Sequence, residues 1–147
     1  MKRSTISFAI VLMIASVLLA ACGQEAAEAA PDAEAVTLTE IGESDLQRVT
    51  LSESAAGRLG IETIAVTEDA ESGQLLIPYS ALLYDASGAT WTYTSPESLV
   101  FIRAQVEVES IDGGFARLTS GPDAGTMVVT VGAAELWGAE TGVGGGH

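Results

Sequence analysis

The chain has 147 residues, 48% of them hydrophobic, and its 20 acidic residues outnumber six basic ones for a formal charge of −14. That is room for one folded domain and excludes the large enzyme architectures. Its one histidine is the terminal His147 and its one cysteine is Cys22, so a Ser-His-Asp or Cys-His site cannot be built without the last residue, and structural zinc lacks ligands.

Residues 1–21 run Lys2-Arg3, an apolar stretch over 6–19, then small Ala20-Ala21, the order of a secretory signal that is excised rather than folded. A retained transmembrane helix is the alternative, but the run is short for a span and is interrupted by Ser7 and Ser16. Leu19-Ala20-Ala21-Cys22-Gly23 resembles a bacterial lipobox. That resemblance implies a diacylated Cys22 at the new N-terminus and a membrane-anchored lipoprotein on the periplasmic or extracytoplasmic side of the cell envelope. Residues 22–35, rich in alanine and acidic residues with Pro31, have no large apolar side chain and read as a flexible tether.

The folded part is expected over 36–138. Ser52 is a plausible N-cap for a short helix with Glu53 in its first turn, an apolar face of Ala55, Ala56 and Leu59, and Gly60 at its end. Residues 61–67 are apolar on both faces and predict a strand buried on both sides. Leu75-Leu76-Ile77 is a brief strand, and Pro78 opens a helical turn through Leu83. After the turn at 85–88, Trp91 and Tyr93 share one face of a strand, with Thr90, Thr92 and Thr94 on the other.

Over 102–109, Ile102, Ala104, Val106 and Val108 point one way and Arg103, Gln105, Glu107 and Glu109 the other, the pattern of a half-buried antiparallel strand. Asp112-Gly113-Gly114 supplies a tight turn into the next strand. Gly121-Pro122-Asp123-Ala124-Gly125 is a reverse turn; no Gly-Lys-Ser/Thr or helix follows to make it a phosphate loop. Met127, Val129 and Val131 then share one face of a last strand. Residues 132–138 close the domain with a helical turn, and 139–147 read as a flexible Gly-rich tail. The fold class expected is all-β with one or two short helical turns, a small antiparallel barrel or sandwich.

Three stretches together resemble the periplasmic adaptors, or membrane fusion proteins, of RND-type efflux pumps, particularly the heavy-metal type. They are Leu51-Ser52-Glu53-Ser54-Ala55-Ala56-Gly57-Arg58-Leu59-Gly60-Ile61-Glu62-Thr63; Ile77-Pro78-Tyr79-Ser80-Ala81-Leu82-Leu83-Tyr84-Asp85 with Gly88 and Thr90-Trp91-Thr92-Tyr93; and residues 118–140 with their Gly121–Gly125 turn. Order and spacing agree from about Val49 to Gly142. Only residues 68–76 separate the first two stretches, where full adaptors carry a lipoyl-like domain, a helical hairpin and a barrel. The resemblance thus implies a stand-alone membrane-proximal domain whose partner is an inner-membrane transporter or a full-length adaptor. The family's methionine-based metal handling does not carry over, because Met127 is the only methionine after the leader.

The expected function is accordingly non-enzymatic docking in transmembrane export, with no metal, no cofactor and no nucleic acid. Scattered Arg48, Arg58, Arg103 and Arg117 cannot form a phosphate-binding patch. Partner-binding residues are not assigned. Tyr79, Tyr84, Trp91, Tyr93 and Trp137 are the aromatic candidates for a contact surface, with burial in the core as the alternative for most of them. A small-solute-binding lipoprotein, whose barrel mouth would be a cavity lined by those aromatics, and an inactive adaptor remnant are the competing readings.

Overall fold

The computed structural model describes residues 34–142. The leader, Cys22, nearly all of the tether and the last five residues lie outside the described residues.

Ten strands follow in order: β1 (Val36–Glu40), β2 (Gln47–Leu51), β3 (Glu62–Ala65), β4 (Thr67–Glu68), β5 (Leu75–Pro78), β6 (Leu83–Tyr84), β7 (Thr90–Glu97), β8 (Val100–Asp112), β9 (Phe115–Ser120) and β10 (Met127–Val131). Helix α1 (Glu53–Leu59) follows β2, a 3-10 turn (Tyr79–Ala81) follows β5, and helix α2 (Ala133–Thr141) follows β10. The architecture is all-β, as expected, and every pairing is antiparallel.

The main sheet runs β3-β10-β7-β8-β9-β5-β4. Its two ends are one stretch of chain, because β3 passes through Val66 directly into β4. Val66 keeps the pairing with the other side: its N–H donates to the Thr126 carbonyl and its carbonyl accepts from Gly125 N–H, both at 2.8 Å. This path of the sheet therefore closes almost completely on itself, which removes the edges it would expose as an open sheet, while β1 and β2 branch off it from β8.

Closure separates two cores. Inside the ring lie Val66, Ile77, Ala81, Leu82, Val106, Ala116, Leu118 and Val128. Outside it, Val49, Leu51, Ala55, Tyr93, Phe101, Val129, Ala133 and Leu136 pack together under β2, α1 and α2. Neighbouring Val128 and Val129 are both fully buried, one in each core. The expectation of one apolar face, Met127-Val129-Val131, is thereby corrected: the middle of β10 is covered on both sides, while Met127 and Val131 are exposed.

The same two-sided covering changes β8. Beyond Val106 it has the expected half-buried pattern, but around Arg103 its second face lies under α2, and Arg103 is not solvated. The opposite correction applies to 61–67. Val66 alone is fully enclosed there, and Ile64 is exposed, because among the described residues no element covers β3 from outside in the way α2 covers β7.

Local signals act where expected. Ser52 Oγ accepts from Ala55 N–H at 3.2 Å, and Gly60 closes α1 in the left-handed region at φ 63°. Gly113 and Gly114 take φ 56° and 83° in the two-residue β8–β9 turn, which needs positive φ at both positions. Pro78 ends β5 and starts the 3-10 turn, but that turn stops at Ala81 rather than running through Leu83, because Leu83 pairs with Trp91 in β6. Gly132, at φ 88°, begins α2 where an added Cβ would meet Ile61 Cδ1. Helix α2 does not stop at Gly138; it continues to Thr141 because Glu140 is drawn into the protein.

Candidate functional site

The five aromatic candidates divide into two groups. Tyr79 and Tyr84 are about half exposed, at 49% and 53%, and are joined by Phe115 at 45%. Their positions follow from turn geometry. Phe115 leaves the Gly113-Gly114 turn opposite both Asp112 on β8 and Pro78 on β5. Tyr79 comes next after Pro78, and its N–H donates to the Gly114 carbonyl at 2.8 Å, holding the 3-10 turn against the hairpin tip. Tyr84 ends β6 beside Tyr79; partial desolvation, then the neighbouring Tyr79 hydroxyl, push its phenol above the usual tyrosine range. Three large aromatic side chains thus stand exposed around one end of the barrel, where a soluble domain ordinarily buries such area.

Trp91, Tyr93 and Trp137 are instead internal or half-buried. They enclose the Arg103 guanidinium, which lies 4.5 Å from the centre of the Trp91 ring and 4.8 Å from that of Trp137, within cation–π range of both. Arg103 pairs with Glu140 Oε1 at 3.4 Å, and Tyr93 donates its hydroxyl to Glu140 Oε2. The Tyr93 phenol is pushed well above its ordinary range, mainly by burial and then by Glu140, so it is a donor at any physiological pH. Trp91 Nε1–H reaches out to Asp85 Oδ2 at 3.0 Å. Asp85 Oδ1 meanwhile accepts from Ser87 Oγ, Ser87 N–H and Ala89 N–H, and the carboxyl is held down to about 2.

Arg103 and Glu140 neutralise each other, while Asp85 stays ionised at the outer end, and these side chains tie α2 to the outer face of β7 and β8. The cluster is a structural clasp. Its signal in the sequence was ambiguous: Arg103 sits in a strictly alternating strand whose other odd residues are solvated, and Glu140 lies beyond Gly138, which normally weakens a helix.

A third feature was not anticipated. A largely apolar groove of about 490 Å3 lies between β1 and α2, lined by Val36, Leu38, Leu59, Glu135, Gly138, Ala139 and Gly142. None of the aromatic candidates contributes to it.

Among the described residues, no three His, Cys, Asp or Glu side chains converge to hold a metal ion, and no helix is long and apolar enough to cross a membrane. Cys22, the expected lipidation site, lies outside the described residues. Compared with known proteins, the chain matches no family model and no curated sequence.

Proposed function

We propose that this chain is a non-enzymatic envelope lipoprotein, anchored through Cys22, that docks on an inner-membrane transporter or adaptor complex and takes part in transmembrane export. The observation that carries this reading is the pairing of a filled barrel with an exposed aromatic end. A solute-capturing barrel needs an open interior lined by aromatics and a few polar groups. Here the interior is occupied by eight buried, mostly aliphatic side chains, while Tyr79, Tyr84 and Phe115 point outward. Aromatic side chains offer large contact area at low entropic cost and dominate many protein interfaces. The resemblance of residues 49–142 to the membrane-proximal part of efflux adaptors supplies the class of partner.

Pull-down of the lipidated protein from its own membranes in mild detergent, with co-purifying proteins identified by mass spectrometry, tests the proposal. Recovery of an inner-membrane transporter or full-length adaptor is expected from wild type. Loss of that recovery in the Tyr79→Ser/Tyr84→Ser/Phe115→Ser variant assigns it to the aromatic end. Recovery of neither class by wild type rejects docking.

A further inference from the structure

Among the described residues, the β1 strand has a partner on one side only, β2, and the hydrogen-bond phase of that pairing shows what its other side offers. Ser52 N–H donates to the Ala35 carbonyl at 3.1 Å, with Val36 opposite Leu51 in the ladder. In an antiparallel pair the backbone groups alternate, so Ala35, Thr37 and Thr39 turn theirs toward β2. Val36, Leu38 and Glu40 turn N–H and C=O to the open edge. The other side of β2 agrees: Leu51 N–H donates to the Leu99 carbonyl at 2.9 Å, so Val49 and Leu51 bond β8 and leave Arg48 and Thr50 for β1.

The residues with outward backbone groups include two that line the groove, Val36 and Leu38. Across it, α2 presents Gly138, Ala139 and the Gly142 cap, small enough to let another backbone approach, and one charge, Glu135. A free strand edge beside an apolar groove is the arrangement in which an extended segment adds as a further strand, its alternate side chains entering the groove.

We infer that this edge binds an extended segment of another protein in which apolar side chains alternate with lysine or arginine. Charge selects that occupant. The segment's lysines turn to the face away from the groove, so the acidic end of the edge, Glu40 followed by Glu43 and Asp45, and the negative field of the whole domain select them, with Glu135 across the groove adding to that field. Seventeen of the chain's 20 acidic side chains fall within the described residues against four arginines, and Arg48, Arg103 and Arg117 already face Glu97, Glu140 and Asp69. A second copy would bring the same negative field edge to edge, and like charges set opposite one another destabilise a ladder.

The test is fluorescence anisotropy of a labelled seven-residue peptide alternating lysine with leucine and valine, added to the lipidated protein in non-ionic detergent. An acidic peptide with glutamate at the lysine positions serves as its counterpart. Saturable binding of the basic peptide alone is expected. Leu38→Pro removes an outward N–H that β2 does not use, a substitution an edge strand tolerates, and it leaves the charge unchanged; binding should weaken at least tenfold. Glu135→Arg, at an exposed helix position, should weaken it similarly and guards against misfolding of the proline variant. Equal binding by wild type and both variants means attraction to acidic surface at large and overturns the proposal. So does failure of the basic peptide to bind, or a wild-type dimer by size-exclusion chromatography that Leu38→Pro dissolves.

Discussion

Replacing Arg103 by methionine probes the clasp that holds α2 on the barrel. Methionine keeps most of the aliphatic volume between Trp91 and Trp137 but leaves the almost fully buried Glu140 carboxylate facing an empty charge site; the Glu140 side chain is 4% exposed and that of Arg103 14%. Removing one partner of a buried ion pair costs about 3–5 kcal/mol. The lower end applies here, because Glu140 retains the Tyr93 hydroxyl and the pair is 3.4 Å apart without a well-directed hydrogen bond. Loss of two cation–π contacts adds about 0.5–1 kcal/mol each at a partly shielded site, offset in part by methionine's own sulfur–aromatic contact.

We expect Arg103→Met to lose about 3 kcal/mol, a fall of about 2 M in the urea midpoint at a slope near 1.5 kcal/mol per M. The protein supplies its own assay, since Trp91 and Trp137, its only tryptophans, flank the substituted side chain. Adding Glu140→Gln to Arg103→Met should recover more than 1 kcal/mol, because the amide oxygen still accepts from Tyr93 and no unpaired charge remains. An Arg103→Met midpoint within about 0.3 M of wild type, or strictly additive effects in the double variant, would refute the reasoning.

The remaining predictions use the same structure. Asp85, held near 2 by Ser87 first and then Trp91 against an ordinary 3.8, stabilises the native state fully above about pH 4, and that contribution is lost as the pH falls through 2; acid titration followed by tryptophan fluorescence should show it, and Asp85→Asn should flatten this part of the profile. Gly132→Ala and Gly114→Ala both place a Cβ at positive φ, 88° and 83°, and each should cost about 1–2 kcal/mol of backbone strain in urea unfolding, Gly132→Ala the more because the Ile61 side chain must also turn aside. Cys22→Ala should move the protein from the membrane fraction to the soluble or precursor fraction, and intact mass analysis of wild type should show an acylated N-terminal Cys22; an unmodified thiol would remove the anchor from the account.

Turn chemistry and two-residue alternation made much of this fold legible in the sequence. Ser52 and Gly60 bound the first helix, Asp112-Gly113-Gly114 sets the hairpin, and Trp91 and Tyr93 share a face because each needs only its own strand to place it. What stayed hidden depends on contacts distant in sequence. Whether Val66 joins two short strands into a ring is decided by Thr126 and Gly125, some 60 residues away. Arg103 reads as solvated until α2 covers it, and α2 reads as ending at Gly138 until Arg103 and Tyr93 recruit Glu140. Of the aromatic candidates, Tyr79 and Tyr84 remain outside because the 3-10 turn is pinned to the hairpin tip. Trp91, Tyr93 and Trp137 are drawn in by a charge the pattern had placed in water. The groove beside β1 was missed because its walls come from opposite ends of the folded part.

Docking through the aromatic end is tested most directly by placing a photo-activatable phenylalanine at position 115, and in a control at the exposed Glu97, in the lipidated protein in intact cells. Irradiation is expected to join position 115, and not position 97, to an integral inner-membrane transporter or a full-length adaptor. Equal labelling from both positions, or no crosslink from position 115 to either class of protein, would contradict it.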